Sequence, residues 1–246
     1  MPGLADVVSP AIVRTSVLLV GDSLSMPRNV SERERVPLAD TYPALLRRCL
    51  SDQGYDFARL GGRARTLPEL VRELENEKEQ YEPDYIVIHA GIVDCAPRVF
   101  SRWQRKVVRR LGMFRGPLLR FTHRHRRAII RALPRRVYTS ACTYRTAVRS
   151  ATRIASEIGS GIVFIGIAPS RYETEHRSPG LEENIRVYDD ILREECKASN
   201  AVFIDAFAVF SDIEQCILSD GIHISSEAHR RLAASLQDVL RKKSVP

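Results

Sequence analysis

One serine, one histidine and one aspartate in this sequence have the types and settings that nucleophilic chemistry needs. Ser23 follows Val17-Leu18-Leu19-Val20-Gly21-Asp22, an apolar run that stops at Gly-Asp-Ser. Such a run, ended by a glycine, reads as a buried strand feeding a tight turn. The turn leaves Ser23 at the carboxyl edge of a sheet, where open α/β folds place their ligands. A serine hydroxyl becomes a nucleophile only when a base converges on it. Asp220 and His223 lie three apart just before the last helix. A loop there can turn both side chains to one point. His223 would accept the Ser23 proton, while Asp220 would orient the ring and stabilise the imidazolium. The backbone N–H groups of Gly61 and of Ser23 itself can face a developing oxyanion.

The elements that must position these residues alternate. A strand over Thr15 to Val20 is followed by a polar loop, Pro27 to Asp40, carrying Arg28, Arg33 and Arg35. A helix runs from Tyr42 to Gln53 and stops at Gly54. A short strand covers Tyr55 to Leu60. Thr66 and Glu69 form a capping box that opens a helix to Gln80. Asp84 to His89 is a third strand, Ile162 to Ile167 a fourth and Ala201 to Asp205 a fifth. Helices span Leu181 to Ser199 and Ser225 to Arg241. Alternating strands and helices predict a parallel sheet covered on both faces.

The length of 246 residues suits one α/β domain, expected over 1-246, and 44% hydrophobic residues allow a substantial core. The formal charge of +8 favours an anionic partner or surface. Five scattered cysteines, with no Cys-x-x-Cys pair, read as reduced and mostly buried thiols of a cytoplasmic protein. No signal peptide is evident, and no stretch approaches the ~20 apolar residues of a membrane span. No cluster has metal-ligand spacing, so neither a metal nor a cofactor is expected.

One segment breaks the alternation. From Cys95 to Ser156 no acidic residue occurs, and arginines crowd the stretch from Arg98 to Arg136. Phe100, Trp103, Val107, Leu111, Phe114 and Leu118 recur at helical steps. Gly112 and Gly116-Pro117 are expected to kink or break this helix. A second helix is expected before Pro134. The next starts at Tyr138 or Thr139 and runs to Ile158. The apolar stripe can pack on the domain or on a second subunit, giving a homodimer. It can lie in an anionic membrane interface, which would place the protein peripherally at the inner face of the membrane. Its arginines can instead hold a polyanion such as an acidic glycan. Nucleic acid is the weakest of these options, because no binding motif is present.

Gly21-Asp22-Ser23-Leu24 resembles the GDSL motif of the SGNH hydrolase superfamily, and Asp220-Gly221-Ile222-His223 resembles its Asp-x-x-His motif. Gly61 with Thr66 resembles the glycine block after the second strand. In that block Arg59 stands for the usual Asn and Ala64 for the usual second Gly. Gly91-Ile92-Val93-Asp94 resembles the Gly-x-Asn-Asp block. The resemblance implies a flavodoxin-like three-layer α/β/α fold with a central parallel sheet. It also implies ester-hydrolysing or acyl-transferring chemistry on Ser23, His223 and Asp220. Where the family places an oxyanion-hole Asn this chain has Val93, which has no side-chain donor. Arg98, His89 and Arg59 are candidate replacements. Asp22 and Asp94 join Gly61 and Arg98 as candidates for oxyanion or substrate contacts, with Asp94 also expected to anchor loop backbone.

These readings lead to a serine hydrolase acting on acyl esters through an acyl-Ser23 intermediate. It would be an esterase, deacetylase or O-acyltransferase on an acylated carbohydrate or lipid. The competing expectation is a catalytically weakened or inactive SGNH-fold protein, with Val93 marking the lost chemistry. Such a protein would bind an anionic glycan, membrane surface or other polyanion through its Arg-rich insertion.

Overall fold

The computed structural model describes residues 14–133 and 136–243. Apart from Arg14, the expected irregular lead-in, Met1 to Arg14, lies outside the described residues. Five strands form one parallel sheet: β1 (Thr15–Gly21), β2 (Tyr55–Gly61), β3 (Tyr85–His89), β4 (Gly161–Ile165) and β5 (Val202–Ile204). Their order is β2-β1-β3-β4-β5. Val17 to Val20, Ile86 to Ile88 and Ile162 to Ile165 are buried throughout. Such continuous apolar runs are what a sheet with both faces covered requires.

Two groups of helices cover it. Helix α1 (Tyr42–Leu50) packs against α8 (Ser226–Lys243), while α2 (Leu67–Tyr81) packs on α6 (Ala141–Glu157), which in turn meets α7 (Leu181–Ser199). The result is the three-layer α/β/α fold. Local signals work as expected at α2, where the Thr66–Glu69 capping box forms. At α1, Thr41 occupies the cap position, but its hydroxyl donates to the Leu38 carbonyl instead.

The segment between β3 and α6 is helical, as α3 (Arg102–Arg110), α4 (Arg115–Arg124) and α5 (Arg126–Ala132). Its apolar stripe does not pack on the domain. Trp103 and Phe114 are 71% and 70% exposed, and the buried apolar residues of these helices are Val108 and Ile130. The Gly116-Pro117 pair does not break a helix. Pro117 sits in the first turn of α4, where its missing N–H costs no bond.

Several arginines of the segment also act as fasteners. Arg102 bonds Glu69 and Thr66 at the start of α2. Arg126 donates to the Pro97 carbonyl at 3.0 Å and to Ser178 Oγ at 2.9 Å. The Arg98 amide donates to the Arg136 carbonyl at 2.8 Å, closing the segment at its base.

The loop expected from Pro27 to Asp40 carries a short antiparallel ribbon, Arg28–Asn29 with Arg35–Val36. Glu34 at its tip accepts from the Ser219 amide at 3.0 Å. Among the described residues all five cysteines are free; Cys95, Cys196 and Cys216 are buried, Cys49 and Cys142 exposed. No helix of the described residues is long and apolar enough to cross a membrane.

Candidate active site

Strand β1 ends on Gly21, and the chain turns at once into a single helical turn, Ser23–Ser25. Asp22 makes that turn. Its amide donates to the His89 carbonyl at 3.2 Å, tying β1 to β3, and its carboxylate accepts from the Leu24 amide at 2.9 Å. Ser23 is thereby fixed at the carboxyl edge, where the neighbours of β1 lie on either side. This is the point at which strand order reverses, the usual ligand crevice of such sheets.

The second part of the site is a loop pinned at both ends. Ile217 and Ile224 form an antiparallel bridge. Inside it the Leu218 amide donates to the His223 carbonyl at 2.7 Å, and the Gly221 amide to the Leu218 carbonyl at 2.8 Å. Gly221 has φ +75°, and a Cβ there would collide with the Thr174 side chain. A glycine is therefore required for this reversal. Asp220 Oδ1 accepts from the amides of Ile222 (3.2 Å) and His223 (3.0 Å). One carboxylate oxygen thus shapes the loop, while the other faces the His223 ring.

The two parts meet. Ser23 Oγ lies 3.2 Å from His223 Nε2, and His223 Nδ1 lies 2.7 Å from Asp220 Oδ2. An ionised carboxylate can only accept, so Nδ1 carries the proton and Nε2 is left to accept from the serine. Burial alone would raise the proton affinity of Asp220, but the His223 hydrogen bonds and charge hold it well below the usual carboxylate range.

A cleft of about 420 Å³ opens over Ser23 and His223, with Val93, Arg98, Arg63 and Tyr138 in its walls. Of the three side chains expected to replace the missing Asn, Arg98 alone lines it. Its Nη2 donates to the Val93 carbonyl at 3.0 Å, and its guanidinium lies over the Tyr138 ring at 4.5 Å. Arg59 instead donates to Ser25 Oγ at 3.2 Å. His89 is buried away from the cleft, and burial pushes its ring down to about 3.

Other expected contacts are corrected. Asp22 is fully buried and does not reach the cleft, because its carboxylate faces the turn it caps. Burial, reinforced by the charge of Asp94 and opposed by the Leu24 N–H, raises it to about 7. Asp94 is also fully buried. Its carboxylate accepts from the Leu67 amide (3.0 Å) and Thr139 Oγ1, and its carbonyl from the Tyr138 amide (3.2 Å). It anchors backbone and offers no substrate contact. Gly61, with φ +98° and no room for a Cβ beside the Gly21 carbonyl, sits level with Gly21. The cleft wall on that side is made by Arg63 and Ala64.

Arg28 was not among the site residues expected from sequence. Its Nη2 donates to Asp220 Oδ2 at 3.2 Å, and it lines the cleft. Its place in the charged loop leaving the Ser23 edge was the available signal. Among the described residues, no group of three or more His, Cys, Asp or Glu could hold a metal ion.

The GDSL-like Lipase/Acylhydrolase family matches residues 19–231. The chain belongs to this family. Solved structures with the same fold include a lipase/acylhydrolase from Enterococcus faecalis, with TM-score 0.64, 16% identity, and coverage of 93% of this chain and 96% of that one. The acetyl xylan esterase AlAXEase gives TM-score 0.62 at 15% identity, covering 91% and 98%. A catalytic mutant of Axe2, an acetylxylan esterase from Geobacillus stearothermophilus, gives 0.61 at 16%, covering 91% and 93%. At these identities the likeness concerns the fold. No curated protein matches the sequence of this GDSL-family chain.

Proposed function

We propose that this GDSL-family protein is a serine ester hydrolase or O-acyltransferase that works through an acyl-Ser23 intermediate. The observation that carries the reading is the Ser23–His223–Asp220 relay, at 3.2 Å and 2.7 Å. Ser23 Oγ bonds to the acyl carbon, its proton passes to His223 Nε2, and the carbonyl electron pair moves to oxygen. Collapse breaks the bond to the alcohol, which leaves with that proton. Water or an acceptor hydroxyl then attacks the acyl-serine, giving its proton to His223, and Ser23 is restored. Asp220 stabilises the imidazolium at both stages. The Ser23 amide serves the oxyanion, and Arg98, bonded to the Val93 carbonyl, is the candidate for the donor that Val93 cannot supply.

The substrate class is an acylated carbohydrate or lipid. Two of the structural neighbours are acetyl xylan esterases. The free thiols suit a reducing compartment such as the cytoplasm.

A second reading rests on Val93: an SGNH fold that binds but does not turn over. A fluorophosphonate probe separates the two. Labelling of the wild type, absent in Ser23→Ala and His223→Ala, supports the enzyme. An unlabelled, folded wild type supports the binding role.

A further inference from the structure

The catalytic cleft does not end at His223. Arg63, Ala64, Arg105 and Tyr138 form one of its walls, and the same four residues line a second bay of about 640 Å³ against the helical segment. The cleft and the bay therefore share a rim, so one molecule can occupy both. The far side of the bay is made by Lys106 and Arg109 of α3 and by Arg115.

The bay has cations without counter-charges. Its carboxylate, Glu69, is consumed by Arg102 and by Thr66, and the Arg102 guanidinium holds it at about 2. Arg65 pairs with Glu73 at 3.6 Å. Among the described residues, no carboxylate pairs with Arg63, Arg105, Lys106, Arg109 or Arg115. Arg63 and Arg105 are nonetheless placed. Arg63 donates to the Pro27 carbonyl at 3.3 Å, and Arg105 to the Tyr138 hydroxyl at 2.8 Å. Each spends one part of its fork on the protein and keeps other donors for a ligand. Two further guanidiniums in the cleft wall, Arg28 and Arg98, have a buried Nε without a partner. Gathering like charges this closely costs free energy unless an anion joins them. Guanidinium forks match the spacing of tetrahedral oxyanions.

We infer that the bay is the subsite for a phosphoryl group, so that the ester cleaved or formed at Ser23 belongs to a phosphorylated alcohol. This rests on the ester-hydrolase reading for the acyl end and adds the chemistry of the other end. A sugar phosphate and a phospholipid headgroup offer the same group.

The test compares a matched pair of esters, O-acetylated glucose and O-acetylated glucose 6-phosphate, on the full chain. The wild type is expected to show at least a tenfold higher kcat/KM for the phosphorylated ester, falling as salt rises. The Lys106→Gln/Arg109→Gln variant, changed only at exposed positions, is expected to bring the ratio toward one. In the folded Ser23→Ala protein, inorganic pyrophosphate should bind by calorimetry, and the same two substitutions should weaken that binding at least tenfold. A wild-type ratio near one overturns the subsite, as does a ratio or pyrophosphate affinity that ignores the substitutions. Absence of fluorophosphonate labelling together with intact, substitution-sensitive pyrophosphate binding would sink the hydrolase reading and leave the phosphoryl site standing. Cosedimentation with phosphatidylglycerol vesicles that is lost in the variant would assign the phosphoryl group to a lipid. Turnover of the sugar phosphate without vesicle binding would assign it to a soluble ester.

Discussion

Arg28 Nη2 and His223 Nδ1 share one oxygen, Asp220 Oδ2, at 3.2 Å and 2.7 Å. Asp220 Oδ1 is already taken by two amides of its own loop. This carboxylate thus holds the base, the turn that carries it and Arg28 of the facing loop. Asp220→Asn keeps the shape but can offer a donor where Nδ1–H needs an acceptor. It is expected to lower kcat by on the order of 10⁴, as measured on an activated ester such as p-nitrophenyl acetate. A loss under tenfold would remove Asp220 from the relay. Arg28→Gln, which leaves the His223–Asp220 bond in place, should cost far less.

Val93 lines the cleft with Ser23 and His223, and the proposed mechanism asks for a side-chain donor there. Val93→Asn is expected to raise kcat, with an upper bound near the ~10²-fold that one such donor brings. Arg98→Ala should lower it. If neither changes turnover, the oxyanion is held without this part of the wall.

Asp22 holds a proton to about pH 7, whereas its ordinary value is 3.8. Between about pH 4 and 7 the unfolded chain releases a proton that the native protein keeps. Stability is therefore lost as pH rises through that window. Three pKa units correspond to about 4 kcal/mol at most. Asp22→Asn removes this dependence while still accepting from the Leu24 amide. Its melting temperature relative to wild type is expected to climb by several degrees from pH 4 to pH 7. Parallel curves would show that Asp22 is ionised in the native protein. His89 and His229, both pushed down to about 3 by burial, act with the opposite sign: their contribution is present above about pH 6.5 and lost as pH falls.

Asp94 joins α2 to the segment before α6 through the Leu67 amide and Thr139 Oγ1. Asp94→Ala strands two buried donors, at roughly 1–3 kcal/mol each. At about 2–4 °C per kcal/mol for a chain of this size, melting should fall by roughly 4–24 °C. An unchanged melting temperature would contradict the anchoring role.

Much of this was legible in the chain. β3 is a run of branched apolar residues after Pro83, and α7 matches its expected bounds of Leu181 to Ser199. Both follow from local periodicity. Ser23 was legible as the turn residue after the strand that ends on Gly21, and Asp220 with His223 as a pair three apart in the loop before the last helix. Arg28 was harder to see, since a charge in a loop has no period, and its partner is set by the ribbon that Glu34 pins to Ser219. Trp103 and Phe114 show a related limit of periodicity. Helical spacing shows that a face exists, while what covers it depends on which surface lies opposite, and within this chain Val108 is buried while Trp103 and Phe114 stay exposed.

The Arg98 amide and the Arg136 carbonyl, 2.8 Å apart, bring the entry and exit of the basic segment to a single point. A stretch that leaves and rejoins a scaffold at one place can lengthen, shorten or be exchanged without changing the register of the strands or the spacing of the relay. The side chains of α3 that line the bay can therefore be exchanged while Ser23, His223 and Asp220 keep their spacing.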